Sequence, residues 1–264
     1  MTKVLETSRL DGSSKAAIGI REMAATLSHE LRTPLNAIVG SISLLERQFP
    51  EGSHNRRHVD RLKRNSRHLV AMLDDVLDLL RVDSDQFTVS LAMQPLRVAI
   101  DEALADVELH ASDRRVAIVN TVLGVREGPV YWGDEQRVRQ IVVNLLTNAI
   151  KFTAPGGRVT VSGGTSETAA GVLAGRGPWA FVRVADTGRG IPPDRIASVF
   201  EPFQQVEPGD RRCGQGLGLS ISRQFARSMD GDITLSSEVG VGSTFTLWVP
   251  FDHNCRDVPI PVQV

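Results

Sequence analysis

Apolar residues recur at helical spacing from about Lys15 to Gln48, through Ile18, Ala25, Leu31, Leu35, Ile38, Ile42 and Leu45. The segment Phe49-Pro50-Glu51-Gly52-Ser53 interrupts this pattern with turn formers. A second helical stretch runs from about Asn55 to Arg81, with Val59, Leu62, Leu69, Met72, Leu73, Val76 and Leu80 on one face. Two long helices joined by a short turn predict an antiparallel hairpin. Such a pair cannot enclose a core unaided, so we expect it to dimerise into a four-helix bundle. Packing on the chain's own C-terminal part is the alternative.

From Gln86 the pattern changes to short β-rich runs alternating with helices. Strands are predicted at Phe87–Leu91, Val116–Val119, Arg158–Val161, Trp179–Ala185, Asp232–Ser236 and Thr244–Val249. Helices are predicted at Leu96–His110, Asp134–Phe152 and Leu217–Met229. Helices covering one face of a mixed sheet give an α+β sandwich. The stretch from Gly163 to Pro178, rich in Gly, Ala, Ser and Thr, reads as a mobile hairpin loop. A hinge is expected near Val82-Asp83-Ser84-Asp85.

Composition narrows the class without choosing a function. At 264 residues the chain has room for two modest domains, and its formal charge of −1 gives no reason to expect nucleic acid as a partner. Cys213 and Cys255 are the only cysteines, too few for a disulfide framework and without metal-ligand spacing, so a reducing cytoplasm fits. The start of the chain lacks the apolar core of a signal peptide, and no apolar run is long enough to span a bilayer. We therefore expect a soluble, cytoplasmic chain, or the cytoplasmic part of a longer or membrane-attached one.

Against that background one histidine stands out. In Ser28-His29-Glu30-Leu31-Arg32-Thr33-Pro34-Leu35, a proline inside a helical pattern removes a backbone bond and forces a kink just after His29. An unperturbed imidazole titrates near pH ~6.5 and is a good nucleophile when neutral. Glu30 is placed to take the proton from the other ring nitrogen, and Thr33, one turn beyond Glu30, to orient a water. The remaining histidines, His54, His58, His68, His110 and His253, have no comparable context and read as surface or tail.

Asn144, Asn148 and Lys151 recur at four- and three-residue spacing, which puts all three on one face of an otherwise apolar helix. Asparagine is a poor helix former, and a buried amide needs partners. An amide oxygen suits Mg2+, and a lysine supplies a point charge for phosphate. Two satisfied core amides are the plainer explanation.

Two glycine-rich segments follow. Asp186-Thr187-Gly188-Arg189-Gly190-Ile191-Pro192 comes at a strand end, where a carboxylate can accept from an exocyclic amine and glycines admit a ring closely. Gly214-Gln215-Gly216-Leu217-Gly218 precedes a helix, whose free amides and dipole favour phosphate. It is neither a dinucleotide fingerprint nor a phosphate-loop motif. Between them Val199-Phe200-Glu201-Pro202-Phe203-Gln204-Gln205 and the polar stretch to Arg212 read as a lid, with Phe200 and Phe203 as both core and anchor.

In their order along the chain, these motifs resemble the histidine, asparagine, phenylalanine and glycine boxes of a bacterial sensor histidine kinase transmitter module. The resemblance covers about Arg21 to Pro250. It implies a multi-domain α and α+β fold: a dimerisation and histidine-phosphotransfer hairpin, then an α/β-sandwich ATP-binding domain of the gyrase, chaperone, kinase and mismatch-repair ATPase superfamily. The corresponding division is an N-terminal segment over 1–14 (disordered or the end of a linker helix), the hairpin over 15–82, a hinge over 83–86, the ATP-binding domain over 87–251 and a tail over 252–264.

The resemblance also assigns roles. His29 becomes the phosphoacceptor, Glu30 its acid-base partner, and Thr33 part of a regulator-phosphatase pattern. Asn148 becomes the Mg2+ ligand with Asn144 beside it, Lys151 the phosphate contact and Asp186 the reader of the adenine amino group. Gly188, Gly190, Gly214, Gly216 and Gly218 shape pocket and lid, and Phe200, Phe203 and Leu217 complete the ATP-binding set. The implied chemistry is autophosphorylation of His29 by Mg-ATP, followed by transfer to the aspartate of a response regulator receiver domain. Signal input is expected from a sensor domain or partner, in cis or in trans.

Two other classes compete. Hydrolytic ATPases of the same nucleotide fold carry a glutamate where Asn144 stands, and an amide cannot activate water as that base does. A silent scaffold is disfavoured because every box residue is present. Cys213, beside Gly214, reads as an incidental thiol. The basic residues Arg56, Arg57, Arg61, Lys63, Arg64 and Arg67 read as a solvated face, or as a dock for an acidic regulator.

Overall fold

The computed structural model describes residues 34, 36–46, 48–49, 53, 55–63, 66, 69–70, 73, 89–122, 128–169, 173, 177–204 and 216–251. The expectations for His29, Glu30, Thr33, Cys213, Gly214, the hinge and the tail lie outside these residues. The chain divides into two units, Met1–Phe87 and Thr88–Val264.

In the first unit, residues 36–46 form helix α1, and helix α2 starts at 55 and continues through 63. Ser53 begins α2 by accepting the Arg56 amide N–H at 3.1 Å, which satisfies one of the donors left over at a helix start. Arg56 then reaches back to α1. Its guanidinium donates to the Glu46 carboxylate at 2.9 Å and to the Phe49 carbonyl at 3.4 Å. Lys63 also pairs with Glu46. Two of the six basic residues are therefore committed to holding the hairpin turn, while Arg57 and Arg61 are exposed.

In the second unit, a five-stranded sheet has the order β2-β4-β5-β7-β6, and β1 pairs separately with β3. The strands are β1 (Ala92–Pro95), β2 (Ala117–Asn120), β3 (Val130–Gly133), β4 (Arg158–Ser166), β5 (Trp179–Asp186), β6 (Asp232–Glu238) and β7 (Gly242–Pro250). Only β2 and β4 run parallel. The helices are α3 (Leu96–Arg114), α4 (Glu135–Phe152) and α5 (Gly218–Ser228). Strand alternation sends Val159, Val161, Val182, Val184, Ile233, Leu247 and Val249 to one face, where all are buried. Facing them are Ile100, Val107, Ile141, Leu145, Ile150 and Phe225 from the three helices. Each such side chain contributes about 1.5–3 kcal/mol on leaving water, so this layer holds the helices against the sheet.

Three expectations need correction. The first described strand lies at Ala92–Pro95, and of the expected strand Phe87–Leu91 the described residues 89–91 lie outside it; the partner β3, a strand the pattern did not predict, fixes the register Met93↔Trp132. Helix α3 runs four residues beyond His110, burying Ala111, and ends where Arg115 turns left-handed (φ 55°). The supposed loop from Gly163 is strand through Ser166, paired to Trp179. Beyond it, Ala169 and Leu173 pack on Trp179 and Trp248, with Phe181 against them. Apolar burial therefore takes small and aliphatic residues that a loop reading leaves in solvent.

Candidate nucleotide-binding site

Helix α4 owes its start to Asp134, whose carboxylate accepts the Arg137 amide at 3.1 Å and, from the chain entering this unit, the Ser90 amide at 2.9 Å. Its apolar side fills the core, and its other side carries Asn144, Asn148 and Lys151, all half-buried.

The two amides form a relay. Asn144 donates to Ser222 Oγ at 2.8 Å, and its Oδ1 accepts from Asn148 Nδ2 at 3.3 Å. The Asn148 Oδ1 takes no part in this relay. Gly218 explains how α5 comes so close: a Cβ there would lie 2.6 Å from Asn144 Oδ1. The start of α5, with no side-chain cap, thus abuts the Asn144 end of this stretch.

The other glycine segment meets its far end. A Cβ on Gly188 would lie 2.6 Å from the Phe152 carbonyl oxygen. The Phe152 ring is flanked by Lys151 Nζ at 5.0 Å and Arg189 Cζ at 5.1 Å from its centroid. Asp186, closing β5, accepts the Gly188 amide at 2.8 Å and the Ser243 amide at 3.4 Å. Burial pushes its carboxyl above the ordinary 3.8, and these two amides offset that only in part. An acid raised in this way weakens the fold once ionised. Its contribution falls as pH rises from about 3.8 through the folded pKa, so the site holds an acceptor in want of donors. Gly190 is required on two counts: its φ is +72°, and a Cβ would lie 2.1 Å from the Glu238 carbonyl oxygen.

The lid base departs from expectation. Phe200 packs edge-on against Phe245 at 6.3 Å, as an anchor should. Phe203 is 66% exposed and has positive φ, so its ring is neither core nor anchor. Its contribution is through the backbone: the amide donates to the Gly216 carbonyl at 3.0 Å and joins the described residues on either side of the expected lid. Leu217 is buried and starts α5, accepting from Ile221 N at 3.0 Å.

Several residues were missed by the sequence reading. Ser222 was visible as a polar residue on the inward face of an amphipathic helix. Arg223 holds the buried Asp232 carboxylate at 2.7 and 3.1 Å and covers the Phe200 ring at 4.6 Å. Ser237 and Ser243 gave no local signal; they become visible only across strands.

Two family models match. Residues 20–85 match the His Kinase A (phospho-acceptor) domain, and residues 133–253 the histidine kinase-, DNA gyrase B- and HSP90-like ATPase. The chain is 32% identical over 252 residues to the circadian input-output histidine kinase CikA of Synechococcus elongatus, covering 94% of this chain and 32% of that protein. It is 34% identical over 249 residues to the histidine protein kinase DivJ of Caulobacter vibrioides, covering 93% and 40%. The chain thus spans about a third of the length of these curated relatives. Among solved structures, full-length ShkA in complex with AMPPNP superposes with a TM-score of 0.67 at 31% identity, over 87% of this chain and 45% of that one. A phosphoacceptor helical region followed by an α/β ATPase sandwich, in one chain and in this order, places the protein in the sensor histidine kinase family as a transmitter module.

Proposed function

We propose that this chain binds Mg-ATP along α4, transfers the γ-phosphoryl group to His29, and passes it on to a response-regulator aspartate. The observation that carries this reading is the closure of both glycine segments on one helix, Gly218 at Asn144 and Gly188 at Phe152. Those contacts are eight residues apart, about 12 Å along the helix axis, which suits a nucleotide lying with its base at Asp186 and its phosphates at the start of α5. The ShkA relative was crystallised with AMPPNP, which accords with this.

In that pose Asp186 accepts from the base's exocyclic amine, Lys151 neutralises phosphate charge and the uncapped amides of α5 hold phosphate oxygens. Phe200 and the backbone of Phe203 and Gly216 seat the lid. Asn148 Oδ1 fits Mg2+, a hard cation that takes a neutral oxygen together with phosphates. When bound, the ion supplies charge neutralisation at the phosphates. One ring nitrogen of His29 attacks the γ-phosphorus in line, the bond to the ADP oxygen breaks, and Glu30 accepts the proton from the other nitrogen. The regulator's carboxylate then attacks phosphorus and the P–N bond breaks. Asn144 is bound into the amide relay and has no basic group, which favours transfer over hydrolysis.

The hairpin over 15–82 would be the dimer's bundle. Ile38, Leu44, Leu45, Leu62 and Leu69 are 41–64% exposed in the single chain, apolar surface that a second copy would cover. Among the described residues no helix is long and apolar enough to cross a membrane. The module is assigned to the cytoplasm, with the input domain or partner and the regulator as its associates.

The reading is tested with γ-labelled Mg-ATP. Acid-labile, base-stable label is expected on the parent and not on His29→Gln; an unlabelled parent that binds ATP would exclude autophosphorylation. Chasing a labelled receiver domain with parent and Thr33→Ala tests the phosphatase role, which is lost if both release phosphate equally fast. Asp186→Asn keeps an oxygen for the Gly188 amide but removes the charge. It should hold or raise stability while weakening ATP binding by roughly 10-fold, since a charge-assisted bond becomes a neutral one. Calorimetric titration giving the parent's affinity would remove Asp186 from the base contact.

A further inference from the structure

Strand β1 begins by pairing Ala92 with Gly133, the last residue of β3. Beyond that pair β3 offers no further residue, because the chain turns into α4 at Glu135. The Asp134 side chain takes over there. Its Oδ2 accepts the Ser90 amide at 2.9 Å, two residues before β1 begins, while its Oδ1 accepts the Arg137 amide at 3.1 Å and caps the helix. Backbone N–H groups only donate, so each bond has a single direction. Asp134 is itself fixed: its own amide donates at 3.2 Å to the Sδ of Met229, which is fully buried.

The place of Ser90 in the chain gives this contact a consequence. The phosphoacceptor match ends at residue 85, five residues before the point where Asp134 holds the backbone. Fully extended, that length of chain reaches at most about 18 Å. Were the backbone first held at Ala92, the reach would grow to about 25 Å.

We propose that Asp134 is a positioning residue for phosphoryl transfer: its Oδ2 latches the backbone at Ser90 and so shortens the tether between the histidine-bearing hairpin and the ATP-binding unit. This rests on the proposed kinase function and adds to it a residue outside the nucleotide site. A shorter tether raises the effective concentration of one tethered group at the other, by roughly 1.5- to 2-fold between seven flexible residues and five. Holding the chain at a rigid helix start also fixes the direction in which it leaves, which favours a productive approach. Nucleotide binding is not affected, because Asp134 precedes Asn144 by ten residues, about 15 Å along the axis of α4.

The two carboxylate oxygens make the test separable. Asp134→Asn keeps an oxygen for the Arg137 amide, but its NH2 group cannot accept from Ser90. Asp134→Ser is also a good cap and is too short to serve both amides, whereas Asp134→Ala loses both bonds. In the full chain with γ-labelled Mg-ATP, Asp134→Asn and Asp134→Ser should label His29 at least about 2-fold more slowly than the parent at saturating ATP. Their KM for ATP and their melting midpoints should equal the parent's, and the Ser90 amide should exchange its hydrogen faster. Asp134→Ala should label as slowly and also melt lower, since it lacks the cap. Labelling of Asp134→Asn and Asp134→Ser at the parent's rate or faster overturns the latch, as does a slower rate that follows a raised KM or a lowered melting midpoint. A parent that does not label His29 would instead overturn the proposed function on which the inference rests.

Discussion

Asn148→Ala should lower the initial rate of His29 labelling by at least about 100-fold while leaving the ATP-binding unit folded. The two effects separate because the side chain faces two ways. Its Nδ2 makes one long bond to Asn144, at 3.3 Å, on a half-buried surface. Losing that neutral bond costs about 1 kcal/mol of stability. Its Oδ1 takes no part in the relay and is proposed to hold the cation at the phosphates. Removing one preorganised contact to developing phosphoryl charge costs on the order of 100- to 1000-fold in rate. Asn148→Asp should not rescue. A carboxylate has no proton to give Asn144 Oδ1 and adds a negative charge beside phosphate. A thermal melt alongside the rate assay decides the matter: a variant with the parent's melting profile and a rate within tenfold of the parent's would remove Asn148 from the metal site.

Arg223→Met should destabilise the second unit by about 3–5 kcal/mol, more than Asp232→Asn at the other end of the same ion pair. The asymmetry comes from burial. The Asp232 side chain is 1% exposed, whereas Arg223 is 27% exposed. Without the guanidinium a buried carboxylate loses its main partner, keeping Arg227 at 3.5 Å and the Ile233 amide at 2.8 Å. Without the carboxylate, Arg223 can still turn toward water.

The pH response gives a sharper criterion. Burial alone would raise the Asp232 carboxyl, but bonds from Arg223 and Ile233, with the charges of Arg223 and Arg227, outweigh it and hold the carboxyl below 3.8. In the parent this group's stabilisation is complete above about pH 3.8 and is lost as pH falls through the folded pKa. In Arg223→Met burial dominates, the carboxyl rises, and mild acid should stabilise the variant. Urea unfolding of both proteins between pH 7 and pH 4 tests this, and parallel pH profiles would contradict the account. Because Arg223 also covers Phe200, the packing of that ring should loosen as well.

The sequence displayed what is local or ordered and concealed what depends on pairing. Helix α4 was legible over nearly its full length because apolar periodicity and the Asn144, Asn148, Lys151 face fall within one segment. The motif order revealed the family. Strand β3 was not legible: Val-Tyr-Trp-Gly is four residues long, and its strand state comes from pairing with β1. The same pairing drew β1 to Ala92–Pro95, away from the better alternation just before it. Phe203 misled because aromatic spacing implies burial, whereas its positive φ turns the ring outward. Ser237 and Ser243 form a row only once β5, β7 and β6 are in register, which short-range spacing cannot report.

The cluster under the β4–β5 loop gives this protein a built-in optical reporter. Of the three tryptophans, Trp179 and Trp248 both stand in that cluster, on the strand positions that alternate with the helix-facing ones. Asp186 lies on the opposite side of the same sheet. Intrinsic emission should thus follow loss of the sheet's outer packing largely independently of nucleotide occupancy. Unfolding of the variants above can be followed without a label and without confusing a change in ligand binding with a change in stability.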